Sequence, residues 1–129
     1  MASSAETTYL MNGSRDFVIK VDITGALDSE LSKLKIIDVA DLTGAPSKFK
    51  IRNISWQFAD FTATLYWDAT TDVQAFTLNQ YEGDIDFYES CGVPLVNNAG
   101  AGVTGNLLIS TYGLSANDTG SLIIRGYHA

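Results

Sequence analysis

The chain has 129 residues, of which 46% are hydrophobic and 11% aromatic, and its formal charge is -7. Those values describe one globular domain, long enough to bury a core without disulfides or metal, and they exclude a disordered polymer. The charge is uneven: residues up to Ser55 carry 7 basic and 7 acidic side chains, whereas the remainder carries 1 basic residue, Arg125, and 8 acidic ones. So acidic a stretch repels phosphate backbones, which excludes nucleic acid as its direct ligand.

Residues 1–15 are rich in Ser, Thr and Ala and show little apolar periodicity. They read as an N-terminal arm, either disordered or ordered only against a partner. From Asp16, the apolar residues Phe17, Ile19, Val21 and Ile23 alternate with Val18, Lys20, Asp22 and Thr24, a period of two that predicts a strand ended by Gly25. Leu27, Leu31 and Leu34 fall at helical spacing behind Asp28, a possible N-cap. The same stretch reads equally as a loop leading into a strand from Lys33 to Val39.

Thr43-Gly44-Ala45-Pro46 is a turn. In the next strand, Lys48 to Phe58, Phe49 and Ile51 share one phase while Ile54, Trp56 and Phe58 share the other. The phase change at Arg52-Asn53 predicts a β-bulge, or a strand crossing between sheets. Phe61, Ala63, Leu65 and Trp67 alternate after a turn at Asp60, and the close spacing predicts a hairpin with the strand before. Further strands are expected at Val73 to Leu78, Asp84 to Tyr88, Leu107 to Tyr112 and Ser121 to Tyr127, with a Gly- and Asn-rich loop from Gly92 to Gly105. About eight strands and at most one short helix make an all-β fold, an antiparallel β-sandwich of jelly-roll-like topology over residues 16–129.

Chemical motifs are sparse. With one cysteine, Cys91, no intrachain disulfide is possible. The N-terminal residues lack the basic and apolar regions of a signal peptide, and no apolar run approaches the roughly 20 residues of a membrane span. No membrane partner is expected. Gly100-Ala101-Gly102-Val103-Thr104-Gly105 matches a dinucleotide fingerprint, but the strand-forming Leu107-Leu108-Ile109 follows where a helix is required. The glycines read instead as a loop needing positive φ or close backbone approach.

Glu82, Asp84, Asp86 and Glu89 form the densest acidic group. Asp84 and Asp86, two apart on one strand face, have the ligand type for calcium but lack the tight Gly turn of calcium loops, and read as a solvated face. The only histidine, His128, stands at the penultimate position, and Cys91 has no basic neighbour in sequence. Neither supports nucleophilic catalysis, and structural zinc would need more ligands. The reading is therefore a non-enzyme without cofactor or metal. Lys33, Lys35, Lys48, Lys50 and Arg52 form a basic cluster in which Lys48, Lys50 and Arg52 share a face if their strand is regular. Arg15, Lys48, Lys50 and Arg52 are the candidate interface residues, either a solvated edge or a docking stripe that meets the acidic half of a neighbouring copy.

The spans Leu65-Tyr66-Trp67-Asp68-Ala69-Thr70-Thr71-Asp72-Val73 and Asn97 to Thr111 resemble segments of small virion proteins of tailed bacteriophages, the β-sandwich proteins that decorate or cement a capsid. The resemblance implies a capsid decoration protein assembled in the host cytoplasm and located in the virion. Its partner would be the major capsid protein, and a homo-oligomer, with a trimer favoured, would dock through a terminal arm or loops. It carries over no site residues. The alternative is a carbohydrate-binding module of a phage fibre or tail, with Tyr66, Tyr81, Tyr88, Asp84 and Asp86 as its binding groups.

Overall fold

The computed structural model describes residues 3–26, 30–79 and 81–128. Among them are nine strands: β1 (Ser4–Asn12), β2 (Asp16–Thr24), β3 (Leu34–Ile37), β4 (Phe49–Phe58), β5 (Thr62–Trp67), β6 (Val73–Leu78), β7 (Tyr81–Asp86), β8 (Leu107–Tyr112) and β9 (Thr119–His128). A five-stranded sheet has the order β1-β2-β9-β4-β7, and a four-stranded sheet has the order β3-β8-β5-β6. Every pairing is antiparallel. Between β2 and β9 the chain passes back and forth between the sheets, which gives the all-β, jelly-roll-like sandwich that the strand pattern predicts, with β1 added at one edge.

The core lies between the inner faces. Phe17, Ile19, Val21 and Ile23 of β2 are all buried, as their alternation requires, and they face Ala63, Leu65 and Trp67 of β5 with Leu107 and Ile109 of β8. Phe49 links the layers, with ring centroids 5.3 Å from Phe17 and 5.4 Å from Trp67, both edge-on. Such aromatic pairs add about 0.5–1.5 kcal/mol each beyond their buried area.

The phase change in β4 is a bulge. Ile51 pairs with Gly126 and Asn53 with Arg125, so Arg52 is the extra residue. The bulge keeps Phe49, Ile51 and Ile54 all pointing inward and pushes Arg52 out.

Three expectations are corrected. The predicted arm contains a strand: Ser4–Asn12 pairs along β2 as an edge of the larger sheet. Its inner positions, Ala5, Thr7 and Tyr9, are small or polar, so the alternation carries almost no hydrophobic signal. Thr7 Oγ1 donates to the Ile36 carbonyl at 2.7 Å, and Asn12 Nδ2 donates to that of Asp41 at 2.8 Å, which ties the strand to the β3 side of the sandwich. The predicted hairpin is absent, because β4 and β5 belong to different sheets. The turn at Asp60, with φ 33°, carries the chain across the core, and Phe58 and Phe61 stack at 4.7 Å with both rings inward.

The third correction concerns Phe87 and Tyr88, which open a short helix, α1 (Phe87–Cys91), instead of ending a strand. The Asp86 carboxylate accepts from the Tyr88 and Glu89 amides, and Gly92 closes the helix with φ 78°. The helix considered at 27–34 falls partly on residues outside those described. Its last residue, Leu34, begins β3, and Leu31 is buried.

The glycine-rich motif leads into strand β8. Gly105 has φ 88°, and a Cβ there would stand 2.1 Å from the Ser47 carbonyl oxygen, so glycine is required for both reasons. Thr104 pins the loop, its Oγ1 donating to Asp68 Oδ2 at 2.8 Å.

Candidate functional site

The outward side chains of the larger sheet follow from its register. In successive rows these are Asp16, Tyr127 and Lys50; then Val18, Arg125, Asn53 and Asp86; then Lys20, Ile123, Ser55 and Asp84; then Asp22, Ser121, Gln57 and Glu82. Arg15 precedes β2 at the first end, and its carbonyl accepts from the His128 amide at 2.8 Å. Met11 of β1 pairs with Val18 and completes this end. The face is therefore polar along the strands. One end holds Arg15, Lys50, Arg52 and Arg125 against Asp16 and Asp86. The other holds Glu6, Asp22, Glu82 and Asp84 against Lys20 alone.

Two tyrosines organise the cationic end. Tyr88 of α1 and Tyr127 of β9 share a hydroxyl–hydroxyl hydrogen bond of 2.5 Å. Arg52 lies over the Tyr88 ring at 5.5 Å, and Lys50 over the Tyr127 ring at 5.9 Å. Contacts of this kind are worth about 0.5–1 kcal/mol at exposed sites, and a guanidinium resting on a ring keeps its in-plane N–H donors free. Arg125 Nη1 donates to Asn53 Oδ1 at 3.2 Å, and the Asn53 amide donates to Asp84 Oδ1 at 2.9 Å. Burial, with the Tyr88 hydrogen bond second, pushes the Tyr127 phenol up to about 12, so it stays protonated at physiological pH.

Two adjoining clefts, of about 340 and 430 Å³, share Asp16, Arg52 and Tyr127. Arg15 and Tyr88 line the smaller, Arg125 and Met11 the larger. Met11 is 45% exposed and Tyr88 41%. Among the described residues Lys20, Lys33 and Lys35 have carboxylate partners, at 3.5, 3.2 and 2.8 Å, whereas Arg15, Lys48, Lys50, Arg52 and Arg125 have none within 4.0 Å. Arginine, tyrosine and methionine are the residue types enriched at protein interfaces. This arrangement can receive carboxylates on its forks and apolar surface on Met11 and the rings.

Of the sequence-predicted interface residues, the structure brings Arg15 and Arg52 into one cleft, and Lys50 lies over the Tyr127 ring that lines it. Lys48 lies before β4 and lines neither cleft. Arg125, Tyr127 and Met11 are the members that sequence reasoning missed, and it reads Tyr88 only as a sugar-binding group. Arg125 and Tyr127 share the outward phase of β9, and that signal was available in the sequence.

No family model and no curated protein matches the chain.

The other predicted groups are dispersed. Tyr66 lies on the smaller sheet under Lys33, Tyr81 opens the edge strand β7, and Tyr88 belongs to the cationic end, so the proposed sugar platform is not assembled. Glu82, Asp84 and Asp86 take the outward phase of β7 and Glu89 sits in α1, with Asp86 spent as its helix cap. Among the described residues, no three His, Cys, Asp or Glu side chains are grouped to hold a metal ion. Cys91 is exposed at the end of α1. The His128 Nε2 is buried without a hydrogen-bond partner among the described residues.

Proposed function

We propose that this protein is a non-enzymatic structural component of a phage particle, a decoration protein that binds the major capsid protein in many copies and stabilises the head shell. The observation that carries the reading is the cationic end of the larger sheet, where Arg15, Lys50, Arg52 and Arg125 stand without carboxylate partners among the described residues, beside exposed Met11 and Tyr88. Exposed arginines beside exposed methionine and aromatic area are the composition of a contact surface between proteins. The jelly-roll-like fold, an architecture found in viral capsid proteins, agrees with the role. Copies joined through this end would attach to the shell as a unit. A modest interface repeated over a shell then raises the cost of disassembly through avidity.

Quantitative mass spectrometry of purified particles, with this chain ratioed to the major shell protein, tests the reading. A ratio near one, or a simple fraction of it, is expected. A few copies per particle would move the protein to a tail or fibre, and its absence from particles would overturn the proposal.

A further inference from the structure

The cationic end needs an acidic counterpart, and the same sheet face provides one. Glu6, Asp22, Glu82 and Asp84 cluster at its other end, with Lys20 as the one basic residue among them. A shallow groove of about 630 Å³ lies there, lined by Ser55, Gln57, Glu82, Asp84, Ser121 and Ile123. Between the two ends sit the apolar Val18 and Ile123, both half-buried.

A face that is positive at one end and negative at the other complements itself under a two-fold axis. If the axis lies in the plane of the face, perpendicular to the strands, each strand of one copy runs over the same strand of the other in the opposite sense. The cationic end of each copy then covers the acidic end of its mate. Lateral position is preserved in this operation. Arg52, on the β4 bulge, and Tyr88, just after β7, therefore land on the β4–β7 groove of the second copy. Arg52 meets the depression beside Glu82 and Asp84, while Asp16 and Asp86, which the same operation brings toward Asp22 and Asp84, line the same cleft as Arg52 and Arg125 of their own copy.

The dimensions suit a dimer. Five strands of about nine residues, spaced about 4.8 Å apart and rising about 3.3 Å per residue, present about 700 Å². A standard interface buries about 800 Å² per partner. Copies carrying a net charge of -7 repel one another at long range. At about 0.15 M salt the Debye length is about 8 Å, so that repulsion is screened while facing charges at contact still attract.

We infer that the outer face of the five-stranded sheet binds a second copy of this chain, forming a closed two-fold dimer in which Arg52 of each copy lies in the Glu82–Asp84 groove of the other. The inference rests on the contact-surface reading above and gives that surface to a second copy, leaving attachment to the shell to surfaces outside this face. Association in solution and copy number on particles are measured separately, so either can fail alone.

Sedimentation velocity of the full chain at micromolar concentration tests it, with the wild type, Arg52→Glu, Glu82→Arg and the double variant carrying both. The wild type is expected to dimerise. Each single reversal is expected to raise the dissociation constant about tenfold or more. The double variant restores opposite charges at both reciprocal contacts and should recover to within about threefold of the wild type, since paired sites compensate each other. Unchanged thermal unfolding of the singles keeps misfolding from counting as lost contact. A wild type that stays monomeric, a wild type that forms trimers, or a double variant no better than either single would each overturn the inference.

Discussion

The lysines beside the smaller sheet and the cations at one end of the larger sheet are treated in opposite ways. Beside the smaller sheet, Lys33 reaches Asp72 at 3.2 Å and lies 5.2 Å from the Tyr66 ring centroid, while Lys35 donates to Asp38 at 2.8 Å. Lys35 lowers the Asp38 carboxyl, and a hydrogen bond from the Ala69 amide, with smaller help from Lys33, lowers that of Asp72. These charges are satisfied within the fold. At the cationic end of the larger sheet, Arg52 and Lys50 rest on rings, Arg125 on an amide, and none has a carboxylate partner among the described residues. Paired charges of the first kind contribute modestly to stability. Unpaired charges of one sign, held in place by aromatic rings, contribute little to stability and are available to a partner.

Substitutions can break or sharpen that contrast. The largest effect is expected from Phe17→Ala, which empties the core between Phe49 and the β2–β9 pair and should cost about 3–5 kcal/mol in denaturant unfolding. It undermines both regions alike, and a smaller loss would mean that this part of the core collapses into the space. Gly126→Ala comes next. A Cβ there would stand 2.5 Å from the Phe17 ring and 2.6 Å from the Lys50 carbonyl, so overpacking of about 1–3 kcal/mol is expected, together with displacement of Tyr127. Thermal unfolding combined with tyrosine fluorescence would register both.

Lys33→Met removes a pair and a ring contact, and should cost about 0.5–1 kcal/mol without changing association. Arg52→Gln gives up a ring contact and no pair, so it should cost no more than about 0.5–1 kcal/mol while also weakening association. If the two variants behaved alike in both assays, the contrast between the sheets would be lost.

The smallest effect concerns pH. Burial raises the Tyr127 phenol to about 12 in the fold, from about 10 in an unfolded chain. The folded state therefore holds this proton more tightly. The stability that depends on it is complete below pH about 10 and is lost as pH rises towards about 12. Tyr127→Phe should flatten the alkaline decline of the unfolding temperature in that window, and an unchanged slope would show that another group sets it.

Much of the sandwich was legible because burial imposes a period of two. Phe17 to Ile23 marks β2, and the phase slip between Ile51 and Ile54 marks the bulge that carries Arg52 outward. β1 was hidden because its inward residues, Ala5, Thr7 and Tyr9, are held largely by backbone pairing. α1 was hidden because Phe87 continues the apolar phase of Ile85, while the caps that decide its conformation are single residues, Asp86 and Gly92. The site was half legible. Lys50 and Arg52 are neighbours along one strand, but Arg15, Arg125 and Tyr127 join them only because β9 inserts between β2 and β4, a long-range ordering that no local pattern specifies.

Covalent footprinting of the protein, dilute and associated, tests most directly whether the unpaired cations are a contact surface. An arginine-specific dicarbonyl and a lysine acylating reagent would be read out by peptide mass spectrometry. Association is expected to mask Arg15, Arg52 and Arg125 while Lys33 and Lys35 stay as reactive as in the dilute protein. Masking of Lys33 and Lys35 with the three arginines unchanged would contradict the account.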